Sequence, residues 1–392
     1  MSRTLNDPNV EGFKIVSNIG QLFWNNSKKE YVNGTGGTGD FQGGFMVWPA
    51  AVATQAVVDA ARVNKNYEGM VRDTLQAMDK YFNDQTCGFS PTFGGGEFYS
   101  DDSAQAVLCY ITGYEVTQDK QYLDRAVAGM RFLMGMADRQ QGGVLWKMGN
   151  PGCNTVSTAE CGMAAAMLAL HVKNNEEYIK FGYYCFKFLF NTMLDGGLMA
   201  DGIEGDGLNH TKWTYNQGTP LTLCAHMYTL TKDEQFYKAA HDLAKAACDT
   251  NNEMFDRDTG DHNVRYYRDS LKFYQLLVAG YADYLMVFGD RDSDLSQAIV
   301  NVVNRHLFYV FKFMAFPGQE GLYSGNLKIY DIDNQRRDVF NAMTGESQGG
   351  NIDNEEYKGG NPKNGLAPNL MNMGAAARVF FQSARIVPHV NF

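Results

Sequence analysis

Apolar residues along this chain recur at spacings of three and four, as in Ala106, Leu108, Tyr110, Ile111 and Tyr114. That is the period of a helix with one buried face rather than the alternation of a strand. The helical stretches come in pairs. "ARVNKNYEGMV", "YEVTQDKQYLDRA", "LHVKNNEEYIKFG", "YTLTKDEQFYKAA" and "VFGDRDSDLSQAI" share one layout: an apolar helix end, a short polar turn, an aromatic residue or Leu, then a second helix. With Tyr67, Tyr122, Tyr178, Phe236 and Leu295 taken as equivalent, the steps between units are 55, 56, 58 and 59 residues.

A period of this size marks a repeat architecture in which each unit is a helical hairpin that buries its apolar face against its neighbours. Five hairpins are visible. The helix-like stretches at residues 11 to 23 and 374 to 386 are left over, and they supply a sixth pair that ties the two ends of the chain together. The pattern predicts an all-α fold: a closed (α/α)6 barrel of about twelve helices with almost no strand, forming one domain over residues 1 to 392.

Repeat symmetry also predicts which residues meet. Counting back 21 positions from each marker reaches Met46, Asp101, Ser157, Tyr215 and Tyr274, near the starts of the first helices of five successive hairpins. In a closed ring equivalent helix starts face one end. So "FMVWPA" (45–50), "YSDDSA" (99–104), "GCNTVSTAE" (152–160), "WTYNQG" (213–218) and "RYYRDSLKFY" (265–274) converge on one mouth.

Composition narrows the partners. Hydrophobic residues make up 44% of the 392 and charged residues 20%, ordinary values for a soluble globular protein. A formal charge of −10 provides no basic surface for phosphates, so nucleic acid is excluded as a partner. No stretch is long and apolar enough to span a membrane, and the polar opening "MSRTLNDPNVEGFK" lacks a signal-peptide core, so the chain as written reads as untargeted; secretion with a signal removed stays open. Seven cysteines without a CxxC spacing read as reduced, buried thiols. Sequons at Asn25, Asn33 and Asn209 do not settle location.

Several constellations are set aside. Asp290, Asp292 and Asp294 resemble a calcium loop, but Leu295 stands where the loop needs Gly and Asn301 where it needs Glu. "GTGGTG" (34–39) neither follows a strand nor opens a helix, so it is no dinucleotide cradle. His171 and His226 fall ten or more residues past their helix starts, away from the mouth where a sugar epimerase of this shape would need its bases. No cofactor or metal is implied.

At the mouth, Asp101 and Asp102 stand side by side where a glycine-rich run gives way to a helix. Read as structure alone, Ser100 is an N-cap and the two carboxylates sit in the first turn, where the helix dipole favours them. Their company argues for more. The same rim collects Trp48, Asn154, Trp213, Tyr215, Asn216 and Gln217, flat aromatics and amides suited to sugar rings and hydroxyls. Two carboxyl groups suffice for glycoside hydrolysis, one protonating the leaving oxygen while the other attacks or activates water, and a separation of ~5 to 5.5 Å signals retention. Adjacent Cα atoms lie ~3.8 Å apart, which permits that separation. Neighbours on a regular helix diverge by about 100°, so the pair is expected to have at least one member at an irregular position.

These motifs resemble glycoside hydrolase family 76, the α-1,6-mannanases. The family's consecutive Asp-Asp matches Asp101-Asp102 in "YSDDSAQA", and its "TWTYNQG" appears as "KWTYNQG" (212–218). Its "GGIWW" resembles "GGVLWK" (142–147) with Asn154 following, and its "GLVYDGI" resembles "GLMADGI" (197–203). The matches run in order from about residue 40 to 290. The resemblance implies a retaining, endo-acting, metal-independent hydrolase of α-1,6-mannan, with Asp101 as nucleophile, Asp102 as general acid/base, and Asn154 and Asp201 as subsite residues. It implies a carbohydrate substrate and a monomer. The family usually places bulky aromatics after the pair, whereas this chain has Ser103-Ala104-Gln105, which alters the subsite. Three alternatives stay open: a transglycosylase using the same pair, an enzyme on the same scaffold acting on another sugar or a small metabolite, and a non-catalytic carbohydrate-binding protein.

Overall fold

A computed structural model describes residues 3–32, 46–205, 207–325, 329–330, 332–350 and 357–392. The "GTGGTG" run, Phe45 and the sequon at Asn33 lie outside those residues.

Six helices form an inner ring: α2 (Val47–Val63), α4 (Ser100–Thr117), α6 (Thr155–Ala169), α8 (Tyr215–Thr231), α10 (Leu271–Phe288) and α13 (Leu370–Ala384). Each packs against the next, and α13 packs against α2, which closes the ring. An outer layer holds α1 (Pro8–Leu22), α3 (Glu68–Met78), α5 (Lys120–Gly135), α7 (Glu176–Phe188), α9 (Glu234–Cys248) and α11 (Ser293–Tyr309). α1 covers α13, so the two ends of the chain form the sixth pair. The fold is the (α/α)6 barrel expected from the repeat.

The two rings differ in sequence for a physical reason. α6 is covered on every side and is buried along its length except at Val156, so it carries no polar face. α9 buries only Phe236, Ala240, Leu243, Ala244, Ala247 and Cys248, one stripe at spacings of three, four and one. Several of the recurring polar turns share a construction. In the second and fourth hairpins Gln118 and Lys232 take the left-handed conformation, with φ of 56° and 57°, and end the inner helix. Asp119 and Asp233 then cap the outer helix by accepting from Gln121 N and Gln235 N. Asp292 caps α11 in the same way, accepting from Leu295 N at 3.0 Å, so the calcium-like triplet supplies a helix start. All seven cysteines are free thiols, six of them buried.

One helix was not foreseen. α12 (Asn334–Thr344) belongs to neither ring, which brings the described α-helices to thirteen. Its Phe340 packs against Tyr266, Tyr309 and Tyr330, outside the barrel. The segment lies between two repeats and carries no repeat period of its own. Strand is confined to three two-stranded hairpins among the described residues.

Where α8 crosses α10 the backbones nearly touch. A Cβ on Gly218 would lie 2.1 Å from the Leu276 carbonyl oxygen, and one on Gly280 would lie 2.3 Å from the Gly218 oxygen. Backbone cannot step aside as a side chain can. Gly218→Ala is therefore expected to cost about 1 to 3 kcal/mol, read from urea unfolding at constant slope. An unchanged midpoint would show that the two helices can part freely.

Candidate active site

The five inner-helix starts do meet. Trp48 on α2, Asp101, Asp102 and Gln105 on α4, Val156 and Glu160 on α6, Tyr215 on α8, and Lys272, Phe273 and Leu276 on α10 line one cavity of about 270 Å³. Loop residues Trp146, Asn154 and Asp201 complete it. A second cavity of about 480 Å³, bordered by Ser90 to Thr92, Gly95 to Glu97 and Tyr99, shares Trp48, Asp101, Asp102 and Trp146 with the first. The adjacent aspartates thus stand where two cavities join.

The start of α4 is held by the loop that follows α5. Ser100 does not cap the helix: the cap position is Tyr99, whose backbone is extended, and no side chain caps there. Instead Ser100 donates through its N–H to the Trp146 carbonyl at 2.8 Å and through its hydroxyl to that of Leu145 at 2.6 Å. Both aspartates lie within the helix, so neither occupies the irregular position expected for one of them. They reach the same space because both are in its first turn, with no side-chain cap to cover them.

Their surroundings are unlike. Asp101 accepts from the backbone N–H of Asp102 at 2.9 Å and from Trp146 Nε1 at 3.0 Å, one donor for each oxygen. Burial pushes its carboxyl up to about 6, while these two donors pull the other way. Burial and then the charge of Asp101 hold Asp102 well above the ordinary carboxylate range. When one member of the pair ionises, it is Asp101 that has the donors to stabilise the charge, and Asp102 keeps the proton.

An aromatic wall faces the pair. Phe273 lies parallel to Trp48, with centroids 6.2 Å apart and planes at 17°, and is 4.6 Å from Tyr215. Tyr215 donates to Asp201 Oδ1 at 3.2 Å, and Asn216 Nδ2 donates to the same oxygen at 2.9 Å. Asn154 uses its amide oxygen to cap α6, accepting from Ser157 N at 3.0 Å.

Six residues singled out in the sequence therefore border the cavity: Trp48, Asp101, Asp102, Asn154, Asp201 and Tyr215. Three stand back from it. Trp213 is half-buried behind Phe273 at 5.5 Å, outside both cavity linings. Asn216 is buried and fixes Asp201. Gln217 is buried with its amide bonded to the backbone of Met199 on both sides and to the Trp213 carbonyl, which pins the "GLMADGI" loop to α8. Much of "WTYNQG" is scaffold.

Sequence reasoning named Gln105 only for altering the subsite, did not single out Glu160, Lys272 and Phe273 within the mouth segments, and left Trp146 inside a motif. The register brought Lys272 and Phe273 to the mouth, directly before the Tyr274 position, but did not mark them as lining residues. Glu160, a carboxylate inside an otherwise apolar helix, was a signal by its residue type alone. His226 lines a separate cavity with Arg62, Glu115 and Asp283 near the other ends of the inner helices, and His171 bonds Glu115 at 3.1 Å. Both histidines are remote from the aspartate pair.

Known proteins resemble this one in sequence and shape. It is 27% identical over 380 residues to the meiotically up-regulated gene 191 protein of Schizosaccharomyces pombe, a match covering 88% of this chain and 85% of that one. A family 76 mannosidase from Bacteroides thetaiotaomicron superposes with a TM-score of 0.72 at 15% identity, covering 96% of this chain and 98% of its own. An inactive variant of α-1,6-mannanase from Salegentibacter sp. HEL1_6, with two consecutive aspartates replaced and α-1,6-mannotriose bound, superposes with a TM-score of 0.71 at 15% identity, covering 97% and 100%. At such identities the shapes establish the shared barrel. The sequence model of glycosyl hydrolase family 76 matches residues 14–297, most of the chain, and the protein therefore belongs to that family of glycoside hydrolases.

Proposed function

We propose that this protein is a single-domain retaining hydrolase of α-1,6-linked mannan, with Asp101 as nucleophile and Asp102 as general acid/base. The observation that carries the proposal is the unlike setting of two adjacent carboxyls at the junction of two cavities. A nucleophile must be ionised and an acid protonated in the same resting enzyme, and environments that separate two carboxyls in this way assign the roles. Asp101 has an N–H donor on each oxygen; Asp102 is held up by burial and by its neighbour's charge.

The steps follow from those states. Asp101 attacks the anomeric carbon while Asp102 gives its proton to the departing glycosidic oxygen, leaving a glycosyl ester on Asp101. Asp102, now ionised, takes a proton from water, which attacks the same carbon and frees Asp101. Trp48 and Phe273 offer flat faces to a sugar ring, and Asp201 and Asn154 offer polar groups to its hydroxyls. Cavities on both sides of the pair support action within a chain rather than only at its end. The bound α-1,6-mannotriose of the Salegentibacter mannanase variant, inactivated at two consecutive aspartates, supports the sugar, the linkage and the pair.

The test is incubation with α-1,6-mannan beside α-1,6-glucan, with products resolved by size and the first-formed anomer read by NMR. Short mannooligosaccharides of α configuration are expected from mannan and nothing from glucan. Release from glucan alone, or a β product, would overturn the reading.

Trp146 tests the charge assignment. Trp146→Phe keeps a ring against Tyr99 and deletes the donor to Asp101 Oδ2. A hydrogen bond to a charged group contributes about 1.5 to 3 kcal/mol, so kcat/KM is expected to fall about 10- to 100-fold. The lost donor lowered the Asp101 carboxyl, so the acidic limb of the pH profile moves to higher pH. A limb that stays in place would separate Trp146 from the ionisation of Asp101.

A further inference from the structure

The cavity that holds the aspartate pair is also lined by a carboxyl on α6, that of Glu160. It is 1% exposed, yet its oxygen Oε2 has no hydrogen-bond partner. The other oxygen is held by a directed relay. Gln55 Nε2 donates to Gln105 Oε1 at 2.9 Å, which fixes the Gln105 amide so that its Nε2 donates to Glu160 Oε1. Gln105 is one of the residues standing where the family usually has bulky aromatics.

A buried polar oxygen left unpaired costs free energy of the order of a hydrogen bond or more, and such groups are rare unless something is meant to meet them. Oε2 belongs to a residue that lines the same cavity as the pair. We propose that Glu160 is a specificity-determining residue whose Oε2–H donates a hydrogen bond to a hydroxyl of the sugar seated on Asp101 and Asp102. The inference rests on the mannanase reading for the identity of that sugar.

The direction of the bond follows from the surroundings. Burial, then the charge of Asp101 and that of Asp102 whenever it is ionised, hold Glu160 well above the ordinary carboxylate range, with the Gln105 hydrogen bond and Arg378 on α13 opposing them. That direction favours the neutral acid. Because Oε1 is already an acceptor for Gln105, a proton on the acid sits on Oε2, the oxygen without a partner. A neutral acid in this place also spares the pair a further negative charge.

Glutamine reproduces a neutral glutamic acid: one oxygen accepts from Gln105 and one N–H donates to the sugar. Methionine has similar length and donates nothing. On α-1,6-mannotriose, Glu160→Gln is expected to keep kcat/KM within about 3-fold of wild type, and Glu160→Met to lose about 10- to 100-fold. Singly deoxygenated mannotriosides then locate the contact. For one ring position, the penalty that wild type suffers on losing the hydroxyl disappears in Glu160→Met, a coupling that general loss of folded enzyme cannot produce. The infrared band of protonated carboxyls at pH 7 should also lose one component, that of Glu160, in Glu160→Gln while the component of Asp102 remains.

Deoxy penalties that all persist in Glu160→Met overturn the contact. Should that variant fail to fold, a 50-fold loss in Glu160→Gln, or an infrared spectrum unchanged by it, overturns the donor. A wild type that neither binds nor cleaves mannotriose overturns the mannan reading instead, and the infrared result is unaffected.

Discussion

Asp101→Asn is expected to leave no turnover above background on any α-mannoside, natural or activated, because no other group at the junction can replace an attacking carboxylate. Activated leaving groups help only the departure of the aglycone, and the bond to the anomeric carbon would still lack its partner. The same variant is expected to melt at a higher temperature than wild type at neutral pH. The sign follows from linkage. The Asp101 carboxyl has an ordinary value of 3.8 and is raised to about 6 in the folded protein. Between those values the folded chain binds more protons than the unfolded one, so stability falls as pH rises through the window and stays lowered above it. Asparagine removes that penalty. Melting curves at pH 4 and pH 7, set beside initial rates on α-1,6-mannan, test both parts. The gain should be clear at pH 7 and small at pH 4. If the aspartates served only to start α4, the variant would remain active and lose ~0.3 to 1 kcal/mol.

Opposite effects on activity and stability mark a group kept for chemistry at a cost to the fold. They also explain what could be read from the sequence. The barrel was legible because it repeats: Tyr122, Tyr178, Phe236 and Leu295 are buried at equivalent places in successive hairpins, and the second, fourth and fifth turns each start the outer helix with an aspartate cap. The mouth was legible because equivalent helix starts must face one end. What the period could not supply were contacts between residues distant in sequence. Trp146 reaches Asp101 across 45 positions, and Gln105 reaches Glu160 across 55. Nothing local distinguishes the amide of Gln217, spent on the backbone of Met199, from one left for a ligand. α12 was missed because a helix outside the ring need not share its period.

The two aspartates separate most sharply by leaving group, and Asp102→Asn shows it. Without the proton donor, hydrolysis of α-1,6-mannan is expected to fall ~10² to 10⁴-fold, the usual range for loss of general acid catalysis. A nitrophenyl α-mannoside departs without needing a proton, so its first step should be far less affected, and the glycosyl ester on Asp101 accumulates. Water then attacks slowly, since no base takes its proton. Azide needs no such help: it attacks the anomeric carbon, displaces the Asp101 carboxylate, and releases a mannosyl azide. Two inversions give net retention, so the product is the α-azide, and its formation should restore turnover in proportion to azide concentration. Asp101→Asn should give no azide product at all, because it forms no ester to be captured. An azide of β configuration from Asp102→Asn would mean direct displacement and an inverting enzyme. Equal losses on mannan and nitrophenyl mannoside, with no azide product, would remove Asp102 from the role of acid/base.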